Sequence, residues 1–224
     1  MILIGLTGRK RSGKDTAAEV ILDQDKGEKI AFADLLKRTL AENWDPKYGV
    51  DLEYDDFDGK GYDREKVLPI TNQQVIEYMY NCVKQLEKHH GLTGWYNFQS
   101  ININEPTIRK LLQTLGTDIV VTIDKSFWVK AVVDRLVKSI IEGDKNVFVV
   151  TDLRQKHEID VIRGLGGKII HLQRPNTSSD PHITEQPLPI LSGDYVIRND
   201  STLNDFIEKV ENGYATIRKS SNYS

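Results

Sequence analysis

An α/β fold built on a doubly wound parallel sheet is what this sequence predicts, on three observations. Five short β-branched runs recur along the chain, helical patterns lie between them, and a glycine-rich loop follows the first run. The runs are ILIGLT (2–7), KIAF (29–32), NVFVVT (146–151), KIIHLQ (168–173) and DYVIR (194–198). Near-continuous apolar runs of this kind suit strands buried on both faces of a parallel sheet. Helical patterns follow at 16–22, at 34–43 and at 154–166, where glycine supplies a C-cap. A last helix begins near Ser201 and places Leu203, Phe206, Ile207 and Val210 on one face. Strand and helix alternating in this way predict a three-layer α/β/α sandwich.

One interruption is large: positions 33–145 separate the second run from the third, far more than a crossover helix requires. That insert, about 45–145, holds an acidic, aromatic-dotted stretch (45–65), a helix carrying Val75, Ile76, Met79, Val83 and Leu86, a short helix at 109–115, and an amphipathic one from Lys125 to Ile141. It has no linker-like composition, so a single domain over 1–224 with a helical subdomain is expected. The amphipathic helices either line a homodimer or cover the sheet. The tail KSSNYS (219–224) is expected to fray.

Composition narrows the function classes. With 30 basic and 33 acidic residues among 224, the formal charge is −3, which argues against nucleic acid or a membrane surface as partner. Cys82, the single cysteine, rules out an intramolecular disulfide and a cysteine zinc site, and fits a reducing cytoplasm. The apolar N-terminus reads as a strand rather than a leader, and no segment approaches the ~18 apolar residues of a membrane span.

The chemistry begins at GRKRSGKDT (8–16), where Gly8, Gly13 and Lys14 keep the spacing G-x-x-x-x-G-K of a phosphate-binding loop. Backbone N–H groups at a helix start cradle anions, and Lys14 reaches the β- and γ-phosphates of a nucleotide. The loop positions Arg11, Ser12, Gly13, Lys14, Asp15 and Thr16 are therefore expected to bind ATP. Lys10 adds positive charge and is placed with the acceptor-binding residues. Asp15 stands where a hydroxyl is expected. Like charges about 4 Å apart repel by about 4 kcal/mol at protein-surface dielectric. Thr16 is expected to supply the hydroxyl, with Asp15 meeting the phosphates through magnesium or turning toward Lys10 or Arg11. The expected metal set is Thr16, Asp15 and Asp152, direct or through water. Asp152 and Arg154 end the third run, beside the loop in a parallel sheet. There Asp152 holds a magnesium-bound water and Arg154 faces developing charge, or Asp152 caps the following helix.

An acceptor site is expected in the insert. Lys37, Arg64 and Arg109 match phosphate, Gln113 and the Gly116-Thr117-Asp118 turn offer partners for a base edge or sugar hydroxyl, and Trp128 offers a stacking face. Blander roles stay open: Arg64 pairs with Asp63 or Glu65, Gln113 is hydrated, Trp128 is core, and one of Lys37 and Arg38 faces solvent. After the fourth run, 174–193 reads as a lid-like loop, with Arg174 at its root as a phosphate clamp and His182 and Glu185 as a latch.

Taken together, KRSGKDT, YDRE, R-x-L-x-Q-x-L-G-T-D, the segment at Trp128, D-x-R-Q-x-H-E and HITE…LPI…GD-x-VI-x-ND resemble the deoxynucleoside monophosphate kinases of tailed bacteriophages. The matching pieces span nearly the whole chain. The resemblance implies transfer of the ATP γ-phosphate to a dNMP for DNA synthesis, magnesium, and a P-loop kinase core with five strands in the order 2-3-1-4-5. It also implies that Asn199 and Asp200 lie near the donor adenine and that Arg64, Arg109 and 116–118 line the acceptor site. The residues themselves point to Lys14, Asp152, Arg154 and Arg174 as the catalytic set. The rival readings are a phosphomevalonate- or dephospho-CoA-kinase-like enzyme and a non-catalytic nucleotide-binding protein.

Overall fold

The computed structural model describes residues 1–9, 11–175 and 188–221. Lys10, His182 and Glu185 lie outside the described residues, as does most of the expected lid. Two compact units make up the chain, one from Met1–Phe32 with Val132–Ser224 and one from Ala33–Ala131. The second unit therefore takes in the helix after the second strand as well as most of the expected insert.

In the first unit, strands β1 (Ile2–Thr7), β2 (Gly27–Ile30), β3 (Val147–Leu153), β4 (Lys168–Gln173) and β5 (Tyr195–Arg198) form one sheet. Every pairing is parallel and the order is β2-β3-β1-β4-β5. The expected order holds. Helices α1 (Lys14–Leu22), the later turns of α6 (Phe127–Glu142), α7 (Lys156–Gly164) and α8 (Leu203–Ser221) complete the unit. Ile4, Leu6, Val149, Ile170 and Leu172 of the sheet share a core with Ala17, Ala18 and Ile21 of α1 and Phe206, Val210, Tyr214 and Ile217 of α8.

Three boundaries differ from the periodicity. The second strand pairs over Gly27–Ile30 rather than 29–32, because the Phe32 N–H leaves the ladder and donates to Asp152 Oδ1 at 2.7 Å. Leu203, expected on the buried face, is 63% exposed, one turn ahead of Phe206, where the buried stripe begins. The helix also runs through Ser221, where the hydroxyls of Ser220 and Ser221 bond the Ile217 carbonyl, so the described part of the tail is held rather than frayed.

The second unit is helical: α2 (Ala33–Glu42), α3 (Tyr54–Asp58), α4 (Asn72–His90), α5 (Ile108–Gln113) and the first residues of α6. Thr71 and Gln74 form a capping box that starts α4, and Gly91, at φ 69°, stops it. The predicted stripe Val75, Ile76, Met79, Val83 and Leu86 is buried, against Leu40, Phe57, Leu111, Leu115 and Phe127. Tyr78, also fully buried, donates its hydroxyl to the Leu40 carbonyl at 2.6 Å, which satisfies the polar end of an otherwise apolar payload. Among the described residues, no helix is long and apolar enough to cross a membrane.

Candidate active site

The loop between β1 and α1 owes its shape to backbone conformations that ordinary residues avoid. Gly8, Arg11 and Gly13 have φ of 155°, 62° and 103°. A Cβ at position 8 would lie 2.5 Å from the Leu172 carbonyl oxygen, and one at 13 would lie 2.9 Å from Asn199 Nδ2 and from the Phe206 ring. Arg11 carries a side chain in this left-handed region, a cost of about 1–3 kcal/mol of the kind that functional loops hold.

Side chains from the far strands brace the loop. Asn199 donates from Nδ2 to the Ser12 carbonyl at 3.1 Å and from its backbone to the Gln173 carbonyl at 2.7 Å. Arg174 donates to the Arg11 carbonyl at 3.1 Å. Lys14 folds back over the loop, and its ammonium donates to the Gly8 and Arg9 carbonyls at 2.7 and 2.9 Å. Helix α1 begins at Lys14 with Gly13 at the cap, a residue that has no side chain to bond the first-turn N–H groups. The Ser12 hydroxyl is buried with no hydrogen-bond partner among the described residues. Together these features fit an anion cradle.

Around this cradle the predicted residues divide. Thr16 is half-buried in the first turn of α1, whereas Asp15 points to solvent and to Lys29, with Lys29 Nζ 2.9 Å from Asp15 Oδ1. Arg11 is exposed and takes no part in that pair, which corrects the expected partner. Asp200 is exposed and paired with Lys209 at 2.8 Å, which holds its carboxyl below the usual range.

At the end of β3, Asp152 is not the helix cap. It accepts the Phe32 N–H, and the cap of α7 is Gln155. The carboxylate that organises this turn is Glu158, which sequence reasoning missed: its Oε2 accepts the Arg154 and Gln155 N–H groups at 2.7 and 2.9 Å. The detectable signal was Gln155 with Glu158 three residues on, a capping-box spacing. Burial, helped by the Asp152 charge, pushes the Glu158 carboxyl up to about 7 against the two N–H bonds. The folded chain thus keeps a proton that the unfolded chain releases above about 4.5, so this group's contribution to stability declines as pH rises from about 4.5 to about 7. Relative to Glu158→Gln, the wild type is expected to lose urea midpoint between pH 5 and pH 8; a constant difference would refute this.

Magnesium keeps most of its waters and takes one or two protein oxygens along with phosphates, rather than an all-protein cage. The Thr16 hydroxyl and Asp152 carboxylate fit that demand. Among the described residues no group of three or more acidic, histidine or cysteine side chains is assembled into a cage. The donor set suits an ion carried in by a nucleotide.

In the second unit the acceptor candidates are ordered by ion pairs. Lys37 meets Asp58 at 2.7 Å and Lys60 meets the same carboxylate at 2.9 Å. Burial works to raise the Asp58 pKa, but the two ammonium groups outweigh it and hold the carboxyl at about 2. Arg38 is the exposed member of its pair with Lys37. Glu65 pairs with Arg109, not with Arg64, and the Arg109 N–H donates to the Arg64 carbonyl at 3.1 Å, tying the GYDRE loop to the start of α5. Arg64 packs against Gly59, where a Cβ would lie 3.0 Å from Arg64 Cδ.

Gly116-Thr117-Asp118 is not a turn. After α5 ends at Gln113, the chain continues as a π-helix over Thr114–Val121. Gly116 is there for space: a Cβ on it would lie 2.9 Å from Leu36 Cδ2. Thr117, Asp118 and Gln113 are exposed, and Trp128 donates its indole N–H to the Gly116 carbonyl at 2.9 Å. π-Helical turns occur often at functional sites. A separate open cavity of about 620 Å³, lined by Gln73, Glu77, Tyr80, Trp95, Tyr96 and Phe98 among others, contains none of these candidates.

A parallel sheet in this order, with a glycine loop and lysine joining its central strand to a helix, is the architecture of a P-loop nucleotide-binding protein. The chain belongs to the deoxynucleotide monophosphate kinase family, whose model matches residues 2–210. It is 38% identical to the deoxynucleotide monophosphate kinase of Escherichia phage RB69, across 94% of this chain and 98% of that protein. The enzyme of the same name from Enterobacteria phage T4 is 35% identical, across 95% and 98%. A dephospho-CoA kinase of Fusobacterium nucleatum is 28% identical, across 97% and 99%.

Proposed function

We propose that this chain transfers the γ-phosphoryl group of ATP to a deoxynucleoside monophosphate, yielding ADP and the diphosphate for DNA synthesis. The observation that carries it is the braced glycine loop with Lys14 folded over it, in a chain of this family. On nucleotide binding, the Lys14 ammonium exchanges the Gly8 and Arg9 carbonyls for β- and γ-phosphate oxygens. N–H groups from Arg11 to Thr16 hold the same phosphates, and Asn199 and Asp200 border the adenine. Thr16 and Asp152 would hold Mg2+, which when bound would neutralise phosphate charge. Arg154 and Arg174 balance charge that develops on the transferred group, while Glu158 fixes the backbone from which Arg154 emerges.

The second unit supplies the acceptor residues in this reading. Lys37, Arg64 and Arg109 hold the acceptor phosphate, with Arg109 and Lys37 exchanging their carboxylate partners for it. Gln113, Gly116, Thr117 and Asp118 meet the sugar or base, and the half-buried Trp128 ring offers a stacking face. A phosphate monoanion or dianion is already nucleophilic, so positioning replaces a general base.

Incubation with ATP, magnesium and each of the four dNMPs is expected to give ADP and a labelled diphosphate with at least one. Turnover on phosphomevalonate or dephospho-CoA, with none on any dNMP, would overturn the reading in favour of another small-molecule kinase. ATP binding without acceptor-dependent ADP release would mark a non-catalytic nucleotide-binding protein.

A further inference from the structure

Asp15 occupies the second position of α1, among the N–H groups that face a triphosphate in the proposed function, on which the following argument rests. A carboxylate there repels the ligand unless something turns it aside and cancels its charge. Lys29 does both: its ammonium lies 2.9 Å from Asp15 Oδ1. Neither Lys29 nor its side-chain direction was evident in the glycine motif itself, because fourteen residues separate the partners.

Strand pleating dictates where Lys29 points. Successive side chains of a strand alternate between faces. The preceding residue, Glu28, is committed to the α6 side, where Arg135, Ser139 and Lys145 all bond its carboxylate and leave its side chain 12% exposed. Lys29 must then project to the opposite face, toward the start of α1. The ladder to β3, with Lys29 beside Val149 in register, fixes its backbone.

We propose that Lys29 is a positioning residue for the phosphate loop, holding Asp15 to the β2 side and neutralising it so that a nucleoside triphosphate can enter. It reaches the ligand through Asp15 rather than by touching it. The pair is open to water, with side-chain exposures of 45% and 79%, so its influence falls as salt rises.

The test is ATP binding measured by calorimetry on the full chain, without acceptor, for Lys29→Ala, Asp15→Asn and the double variant. Lys29→Ala is expected to weaken ATP about tenfold at low salt, within the range of coupling between contacting charges, and to weaken AMP less. In the Asp15→Asn background the same substitution is expected to cost less than about twofold. Lys29→Arg should keep most of the affinity, since the charge is retained. An equal loss in both backgrounds would overturn the inference, by showing that Lys29 acts directly or on folding; so would no loss at all. Absence of ATP binding by the unsubstituted chain would instead overturn the site reading itself, and the inference with it.

Discussion

Lys14→Ala is expected to lower kcat/KM by about 10²–10³-fold, the scale of removing one preorganised donor to developing transition-state charge. The ammonium sits where the loop closes on itself, donating to the carbonyls of Gly8 and Arg9. One of these bonds is part-buried and the other exposed, and both carbonyls lie in a surface loop, so thermal stability should change little. That contrast separates a lost catalytic charge from a lost fold. Lys14→Arg should rescue poorly, because a planar fork cannot replace a compact ammonium between two carbonyls less than 3 Å away. A fall of less than tenfold for Lys14→Ala in steady-state kinetics would remove the loop from the mechanism.

Phe206→Ala is expected to destabilise the protein by about 3–5 kcal/mol, the range for deleting a buried aromatic ring. Native domains hold only about 5–15 kcal/mol in total, so this is a large share. Phe206 is 1% exposed in the core shared by α1, α8 and the sheet. Its ring also fills the space a side chain at Gly13 would take. The cavity left behind therefore borders the phosphate loop, and ATP affinity should weaken together with stability. Urea unfolding reads the effect: the midpoint falls while the slope stays constant. A loss below about 1 kcal/mol would show that the core closes over the gap.

What could be read in the sequence follows from locality. The strand runs at 2–7, 146–151 and 168–173 were legible because both faces are buried, which leaves an unbroken apolar signature. The glycine loop was legible because its geometry needs glycine at two fixed positions. The stripe on α4 was legible from periodicity alone. By contrast, the GTD segment looked like a turn because glycine and aspartate mark turns locally. Its path is instead π-helical and sets Gly116 against Leu36, distant in sequence, where a side chain would have no room. Leu203 fitted the helical stripe by spacing, yet the buried stripe starts only at Phe206.

The same division holds within the candidate site. Gly8, Gly13, Lys14, Asp152 and Arg154 are proposed from motif and strand end, the residue types that phosphate chemistry calls for there. Their partners could not be read that way. Glu65 with Arg109, Lys37 with Asp58, Glu158 with the Arg154 backbone and Lys29 with Asp15 all join side chains whose meeting depends on packing.

The sequence by itself determined a parallel α/β sheet, a phosphate loop at its first junction and the kind of chemistry such a loop performs, because these follow from periodicity, glycine's backbone freedom and charge. Only the tertiary structure decided which way each charge faces. Asp15 turns to Lys29 because the sheet's pleat, with Glu28 locked to the other face, leaves Lys29 no other side on which to stand.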